Sequence, residues 1–386
     1  MVFSDFSFQH RTVIDFGYGG LARIGEHARS LGAGPALLVC DKGIVAAGLA
    51  DRAEAVLTSA GISTKRFSDI SSNPRDSECQ AAAAVAVECA VTCIVGLGGG
   101  SVMDTAKAAA ALVTNGGSVK SWEDPRRLDK SPIPVICVPT TAGTGSEVTF
   151  VAVITDDQAH YKMTLLDPRL APSIALLDPE LTLGLPPHLT AATGLDAMTH
   201  AIEAYTGRAS NPISDALALR AIENVNAYLL RAVRKGDDRE ARAGMLLASL
   251  LAGMAFGNSD VGAVHCMGET LGGRYDTPHG VACAVFLPFV FEFNIPADPE
   301  RHAQVARALG VTADSDPETV AREGCARIRR LIADMGLPRL RDLEGVSPDD
   351  FAVLARASAE HVCSPDNARD ITEADYLDLF RKAYAE

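Results

Sequence analysis

Short apolar runs alternating with helical stretches, followed by long segments of purely helical period, predict an α/β domain on a parallel sheet and then an all-α domain. Two observations carry this reading. Five-residue apolar runs ended by Asp or Gly recur over the first half of the chain. After about residue 185 the segments lengthen, and Pro186-Pro187 offers a break between residues 1–185 and 186–386.

In chain order, Ala36-Leu37-Leu38-Val39-Cys40 reads as a buried strand ended by Asp41. The stretch from Gly43 to Gly61 then reads as one helix with Ala, Leu and Val on a single face. Cys93-Ile94-Val95-Gly96-Leu97 and Pro134-Val135-Ile136-Cys137-Val138 are the next strands, with further candidates at Phe150–Thr155 and Ile174–Leu177. Strands joined through helices pair in parallel, with both sheet faces covered. In the second half, Ala218, Ile222, Val225 and Leu229 lie at spacings of four, three and four, one face of a helix. Ala241–Phe256 is another apolar helix, and further helices are expected over 301–309, 317–335, 350–361 and 372–384.

Composition narrows the function classes. Of 386 residues, 47% are hydrophobic and 22% charged, enough apolar material for sizeable cores. A net charge of -14 disfavours nucleic acid and membrane surfaces as partners. The first residues lack the basic-then-apolar layout of a secretory signal, and no long uninterrupted apolar run stands out as a membrane span. Nine cysteines without a CxxC pair fit free thiols in the cytoplasm.

Two loops carry phosphate-binding chemistry. Gly98-Gly99-Gly100-Ser101 joins a strand to a helix, where missing Cβ atoms let backbone approach a phosphate and the helix N-terminus offers unpaired N–H groups. The same residues also make an ordinary tight turn. Pro139 to Glu147, rich in Thr, Gly and Ser, follows another strand and suits phosphate or ribose as well as solvent. Ligands of open α/β sheets gather at such strand ends. Asp41 ends a strand too: its carboxylate can accept from ribose hydroxyls and would repel a 2′-phosphate, which leans toward NAD, and it can equally cap a helix.

Metal-binding chemistry collects in the second half. Asp196 and His200 lie four apart, on one face of a helix. Such a pair alone is most simply a hydrogen bond. His265 in an apolar stretch and His279 between Pro278 and Gly280 complete a mixed N/O set that suits Fe(II), Zn(II) or a similar divalent ion. An ion held this way acts as a Lewis acid.

Four motifs, GGGSVMDTAK at 98–107, PTTAGTGSEVT at 139–149, GLDAMTHAIEAY at 194–205 and TPHGVACA at 277–284, resemble those of the iron-dependent (group III) alcohol dehydrogenases, whose fold is dehydroquinate synthase-like. The resemblance runs nearly end to end. It implies an N-terminal dinucleotide-binding domain, a C-terminal helical domain that binds metal and substrate, and an active site in the cleft between them. It implies Asp196, His200, His265 and His279 as ligands of Fe(II), with Zn(II) used by some members. By motif it implies Asp41, Asn73, Gly99, Gly100, Ser101, Asp104, Thr140, Thr141, Thr144, Thr149 and Lys162 as NAD(H)-binding residues. Phe256 and Cys363 are implied near the substrate, and a homodimer or larger homo-oligomer is implied. One position departs from the pattern: where many members carry a proton-passing histidine four residues after the third ligand, this chain has Glu269. A buried carboxylate can relay a proton, and a helix-surface role serves equally.

The activity expected is hydride transfer between an alcohol or carbonyl and nicotinamide. A hydroxyacid–oxoacid transhydrogenase with retained NAD, a metal- and NAD-dependent sugar-cyclising lyase and a non-catalytic dinucleotide-binding protein are the alternatives. The substrate is an alcohol or aldehyde of undetermined structure; Arg208, Arg274 and Lys162 are candidate cations for an acidic one.

Overall fold

In the computed structural model, which describes residues 5–123, 125–159 and 161–386, the chain divides into His10–Leu185 and Pro186–Glu386, with residues 5–9 joining the latter. The expected first domain, 1–185, therefore loses its start. The Gln9 N–H donates to Asn258 Oδ1 at 2.6 Å, and Asn258 Nδ2 donates to the Gln9 carbonyl at 3.2 Å.

The first unit runs β1 (Val13–Phe16), α1 (Ile24–Ser30), β2 (Ala36–Val39), α2 (Lys42–Ala46), α3 (Leu49–Ser59), β3 (Thr64–Phe67), α4 (Asp76–Glu88), β4 (Cys93–Gly98), α5 (Gly100–Asn115), β5 (Val135–Pro139), β6 (Val151–Asp156), β7 (Tyr161–Leu166) and β8 (Ile174–Leu177). Six strands form one sheet in the order β1-β8-β5-β4-β2-β3, every pair parallel. Strand alternation splits the core in two. Leu37, Val39, Ile94 and Cys137 pack with buried residues of α4 and α5. Leu38, Cys40, Val95 and Val138 pack with those of α1 and α3 on the other side. Continuous apolar runs are what a sheet buried on both faces requires.

The structure corrects two elements. The Phe150–Thr155 strand is not in the parallel sheet: β6 pairs antiparallel with β7 as a separate hairpin, Ile154 opposite Met163. The helix expected from Gly43 to Gly61 is two, α2 and α3, broken at Gly48, whose φ of 72 is left-handed backbone that only glycine adopts without cost.

The second unit is helical: α6 (Pro187–Thr206), α7 (Pro212–Arg234), α8 (Arg239–Phe256), α9 (Ala263–Tyr275), α10 (His279–Asn294), α11 (Pro299–Ala308), α12 (Pro317–Asp334), α13 (Phe351–Glu360) and α14 (Glu373–Ala385). The helix starts are written locally. Asn211, Asp238, Asp298, Asp316 and Thr372 each accept a backbone N–H of the first turn. The long helix α6 is the buried centre, packed against α7, α8 and α10, and its residues from Leu195 to Thr206 are all buried. The stretch His279–Ala297 is long and apolar enough by composition to cross a membrane. Here it is a core helix, most of it buried in the unit, with Phe286 and Leu287 fully enclosed.

Candidate metal centre and nucleotide loops

Three helices of the second unit deliver the four expected donors to one place. Asp196 and His200 share a face of α6 one turn apart, His265 sits in the first turn of α9, and His279 is the first residue of α10. One ligand atom from each can be chosen so that all four lie within 4.8 Å of one another. His279 Nε2 is 3.3 Å from Asp196 Oδ1, His265 Nε2 is 4.0 Å from the same oxygen, and His200 Nδ1 is 4.0 Å from Asp196 Oδ2. The rings pack on each other: His200 stacks on His265 with centroids 4.5 Å apart, and His265 tilts against His279 at 5.3 Å.

Local sequence explains the convergence. Pro278 ends its turn where α10 begins, so His279 stands at the helix start with its backbone direction fixed. Gly280 allows α10 to meet α6, since a Cβ there would lie 2.3 Å from the Ala192 carbonyl oxygen. Phe256, the last residue of α8, lies flat on His200 with centroids 4.2 Å apart and planes at 13°. It therefore touches the imidazole that the sequence predicts as a ligand.

The donor set fits a divalent cation. Donors about 2.1 Å from one ion stand about 3.4 Å apart in a tetrahedral shell. Asp196 meets its three imidazoles at 3.3–4.0 Å, and all four donors lie within 4.8 Å of one another, so modest side-chain adjustment is needed to close the shell. His265 Nε2 is buried and has no hydrogen-bond partner, which is expensive unless something binds there. Burial alone would pull the His265 imidazole down, but the Glu203, Asp196 and Glu269 carboxylates, Glu203 foremost, together hold the ring above its ordinary value. A cation at Nε2 thus competes with a proton.

Three participants escaped the sequence reading. Glu203, on α6, accepts from His265 Nδ1 at 2.5 Å and from the Val264 N–H at 2.7 Å. Its signal was present: it follows Asp196 by seven residues and His200 by three, on their helix face. Asn367 accepts from the Ala263 N–H at 3.4 Å and exchanges amide hydrogen bonds with Asn294 at 2.9 Å. His361 bonds Glu269 Oε2 through Nε2 at 3.0 Å, and its Nδ1 accepts the Cys363 N–H at 3.3 Å. No periodicity links position 361 to position 269. Cys363 is buried, and burial pushes its thiol well up, so it is no nucleophile at neutral pH.

In the first unit, seven of the expected nucleotide residues, Asp41, Gly99, Gly100, Ser101, Thr140, Thr141 and Thr144, lie at the C-terminal ends of β2, β4 and β5. Asp41 caps α2, its Oδ1 accepting the Ile44 N–H at 2.9 Å. Gly99, Gly100 and Ser101 form the start of α5, with Thr140, Thr141 and Thr144 on the neighbouring loop. The two loops touch. A Cβ on Gly100 would lie 2.6 Å from Thr144 Cγ2, and the Thr140 N–H donates to the Gly98 carbonyl at 3.0 Å. Behind them the fully buried Lys107 donates to Ser146 Oγ at 2.7 Å, Thr149 Oγ1 at 3.3 Å and the Val151 carbonyl at 2.8 Å. Asp104 accepts from Ser146 Oγ at 2.6 Å and from the Val153 N–H at 3.1 Å. Burial pushes the Asp104 carboxyl up and Lys107 pulls it back. Asp104 and Thr149 are thus engaged in fixing the second loop against α5. Asn73 is buried just before α4, and Lys162 lies on β7 opposite Thr155.

Comparison with known proteins decides the family. Residues 12–179 match the iron-containing alcohol dehydrogenase family, and residues 190–384 match the C-terminal domain of the Fe-containing alcohol dehydrogenase family. The chain belongs to the iron-containing alcohol dehydrogenase family. As a member it is an oxidoreductase. It is 40% identical over 373 residues to the 1,3-propanediol dehydrogenase of Citrobacter freundii, covering 96% of each chain. Among solved structures it is similar to a 1,3-propanediol oxidoreductase, with TM-score 0.95 and 38% identity over 98% of this chain and 100% of that one. It also resembles the NAD+ complex of sulfoacetaldehyde reductase from Bifidobacterium kashiwanohense, with TM-score 0.90 and 31% identity over 99% of both.

Proposed function

We propose that this chain is an NAD(H)-linked, Fe(II)-dependent dehydrogenase that interconverts a small alcohol with its aldehyde or ketone. The convergence of Asp196, His200, His265 and His279 carries the reading. The names of its relatives support iron, and zinc draws no support from them. When bound, a divalent ion supplies Lewis-acid polarisation of the substrate oxygen and the nicotinamide supplies the hydride carrier.

The chain's own residues do the rest. One carboxylate and three neutral imidazoles leave a bound dication with net positive charge, suited to an oxygen that gains negative charge. Phe256 holds the His200 ring by stacking and walls that side of the cluster with apolar surface. Gly99, Gly100 and Ser101 offer the N-terminus of α5 to a pyrophosphate. Asp41 keeps one carboxylate oxygen for its cap while the other can take ribose hydroxyls, which supports NAD over NADP. Glu269, one turn past His265 on α9, is coupled to His361, and this carboxylate–imidazole pair takes the place of a single proton-passing side chain. Nine free cysteines support a reducing compartment. Relatives named for 1,3-propanediol and sulfoacetaldehyde support a short-chain substrate with a second polar group.

The test is metal analysis of the purified protein with NAD(H)-coupled screening of alcohols and aldehydes. Bound iron and turnover are expected. Protein without metal, and inactive after Fe(II) is added, would sink the proposal. For His279→Ala the expected result is at least about a 100-fold loss of Fe(II) affinity, because loss of outer partners alone costs 10–100-fold. Unchanged affinity would remove His279 from the ligand set. Tight NAD retention through purification would favour the transhydrogenase alternative.

A further inference from the structure

Glu203 has a carboxylate 5% exposed, placed between two helices that carry predicted ligands. It grows from α6, the helix of Asp196 and His200, and both oxygens reach α9. Oε1 accepts the Val264 N–H at 2.7 Å, and Oε2 meets His265 Nδ1 at 2.5 Å. Gly262, the residue before α9, has no side chain to cap it, and a Cβ there would lie 3.2 Å from Glu203 Oε1. Glu203 thus fills the space that a local cap would occupy.

The consequence for His265 follows from imidazole chemistry. An ionised carboxylate only accepts, so Nδ1 must donate to it. In the neutral ring, the other nitrogen then carries the lone pair. That nitrogen, Nε2, is the buried atom without a hydrogen-bond partner, 4.0 Å from Asp196 Oδ1. The ring has one orientation that satisfies Glu203, and that orientation turns the lone pair to the cluster.

We infer that Glu203 is a positioning residue of the metal centre: it fixes the tautomer and ring direction of His265 while tying the start of α9 to α6. This rests on the reading of His265 as a ligand. A purely structural capping role would make Glu203 matter for folding and leave metal affinity alone, so the two roles separate experimentally. Glu203→Gln is the informative variant. Both of its partners are N–H donors, and an amide offers one oxygen and one NH2, so it can satisfy one partner and opposes the other.

Fe(II) affinity is measured by anaerobic chelator competition on full-length wild type, Glu203→Gln and His265→Ala, with circular dichroism and melting of the metal-free proteins. The expected result is a folded Glu203→Gln protein with Fe(II) affinity lowered 10–100-fold, and a larger loss for His265→Ala. Affinity within about twofold of wild type for folded Glu203→Gln, with His265→Ala still deficient, overturns the positioning role alone. Unchanged affinity in His265→Ala overturns the metal reading beneath it. Should Glu203→Gln not fold, nitrogen NMR of the metal-free wild type decides. At a pH high enough for the His265 ring to be neutral, its proton is expected on Nδ1; an Nε2-protonated tautomer overturns the proposal.

Discussion

At the scale of single residues, the site rests on pairs that hold each other. His265 is useful because Glu203 holds it, and Glu269 is no solitary carboxylate because His361 holds it. The second pair yields a prediction. Glu269→Gln keeps the size and one acceptor but cannot carry charge or accept a proton. If the pair passes a proton, turnover should fall about 100-fold and the pH–rate profile should lose a limb. Steady-state kinetics across pH on wild type and variant measure this; an unaltered profile removes Glu269 from the proton path. The difference in legibility between these residues is physical. Asp196, His200 and Glu203 repeat at helix spacing, so one face of α6 is readable from sequence. His265 and His279 come from other helices, so no spacing ties them to that face; their apolar and Pro-Gly settings and the motifs around them are what mark them. His361 lies 92 positions from Glu269, and nothing local marks such a contact.

At the scale of elements, close approach of α10 to α6 is what delivers His279. Gly280→Ala would place a Cβ at 2.3 Å from the Ala192 carbonyl oxygen, a backbone atom that cannot swing aside. Overpacking of this kind costs about 1–3 kcal/mol, roughly 2–12 °C of melting temperature for a unit near 200 residues. Calorimetry checks the stability, and chelator competition should show weakened Fe(II) binding as α10 shifts; a protein unchanged in both would refute this account of the contact. Helix α11 gives a pH prediction. His302 is 1% exposed against Phe291, with Nδ1 at 2.8 Å from the Asp298 carbonyl. Burial depresses its pKa below the unfolded value. A depressed histidine contributes stability that is present above the unfolded pKa of about 6.5 and is lost as pH falls below it, through the folded value. Melting temperatures between pH 7.5 and 5 should therefore fall more steeply for wild type than for His302→Gln; parallel curves would exclude it. Elements also differ in how well sequence announces them. The capped, amphipathic helices and β2, β4 and β5 are plain. The strands β1 and β3 were missed because only part of each is buried: Val13 is 59% exposed and β3 reads Thr-Lys-Arg-Phe. The hairpin β6–β7 shows that an apolar run marks a strand without saying which sheet receives it.

At the scale of the whole molecule, the chemistry is divided between two units with separate cores. The proposed nucleotide loops belong entirely to His10–Leu185 and the four proposed donors entirely to Pro186–Glu386. The sequence changes texture near Pro186, because a parallel sheet and a helical bundle need different hydrophobic periods. The grouping of Gln9 with the helical unit has no such signal: its hydrogen bonds reach one asparagine 249 positions away. If each ligand stabilises the unit that holds its binding residues, hydrogen exchange should separate them. A ligand that binds only the folded form at 100 times its Kd adds about 2.7 kcal/mol, enough to slow exchange about 100-fold for amides that open with the unit it binds. NAD(H) alone should protect β4, β5 and the starts of the helices and loops after them. Fe(II) alone should protect α6, the first turn of α9 and the start of α10. Exchange mass spectrometry with each ligand in turn reads this directly. Protection of the loops after β4 and β5 by Fe(II) alone, with α6 and α10 left as in the metal-free protein, would show that the cluster of Asp196, His200, His265 and His279 is not where iron binds.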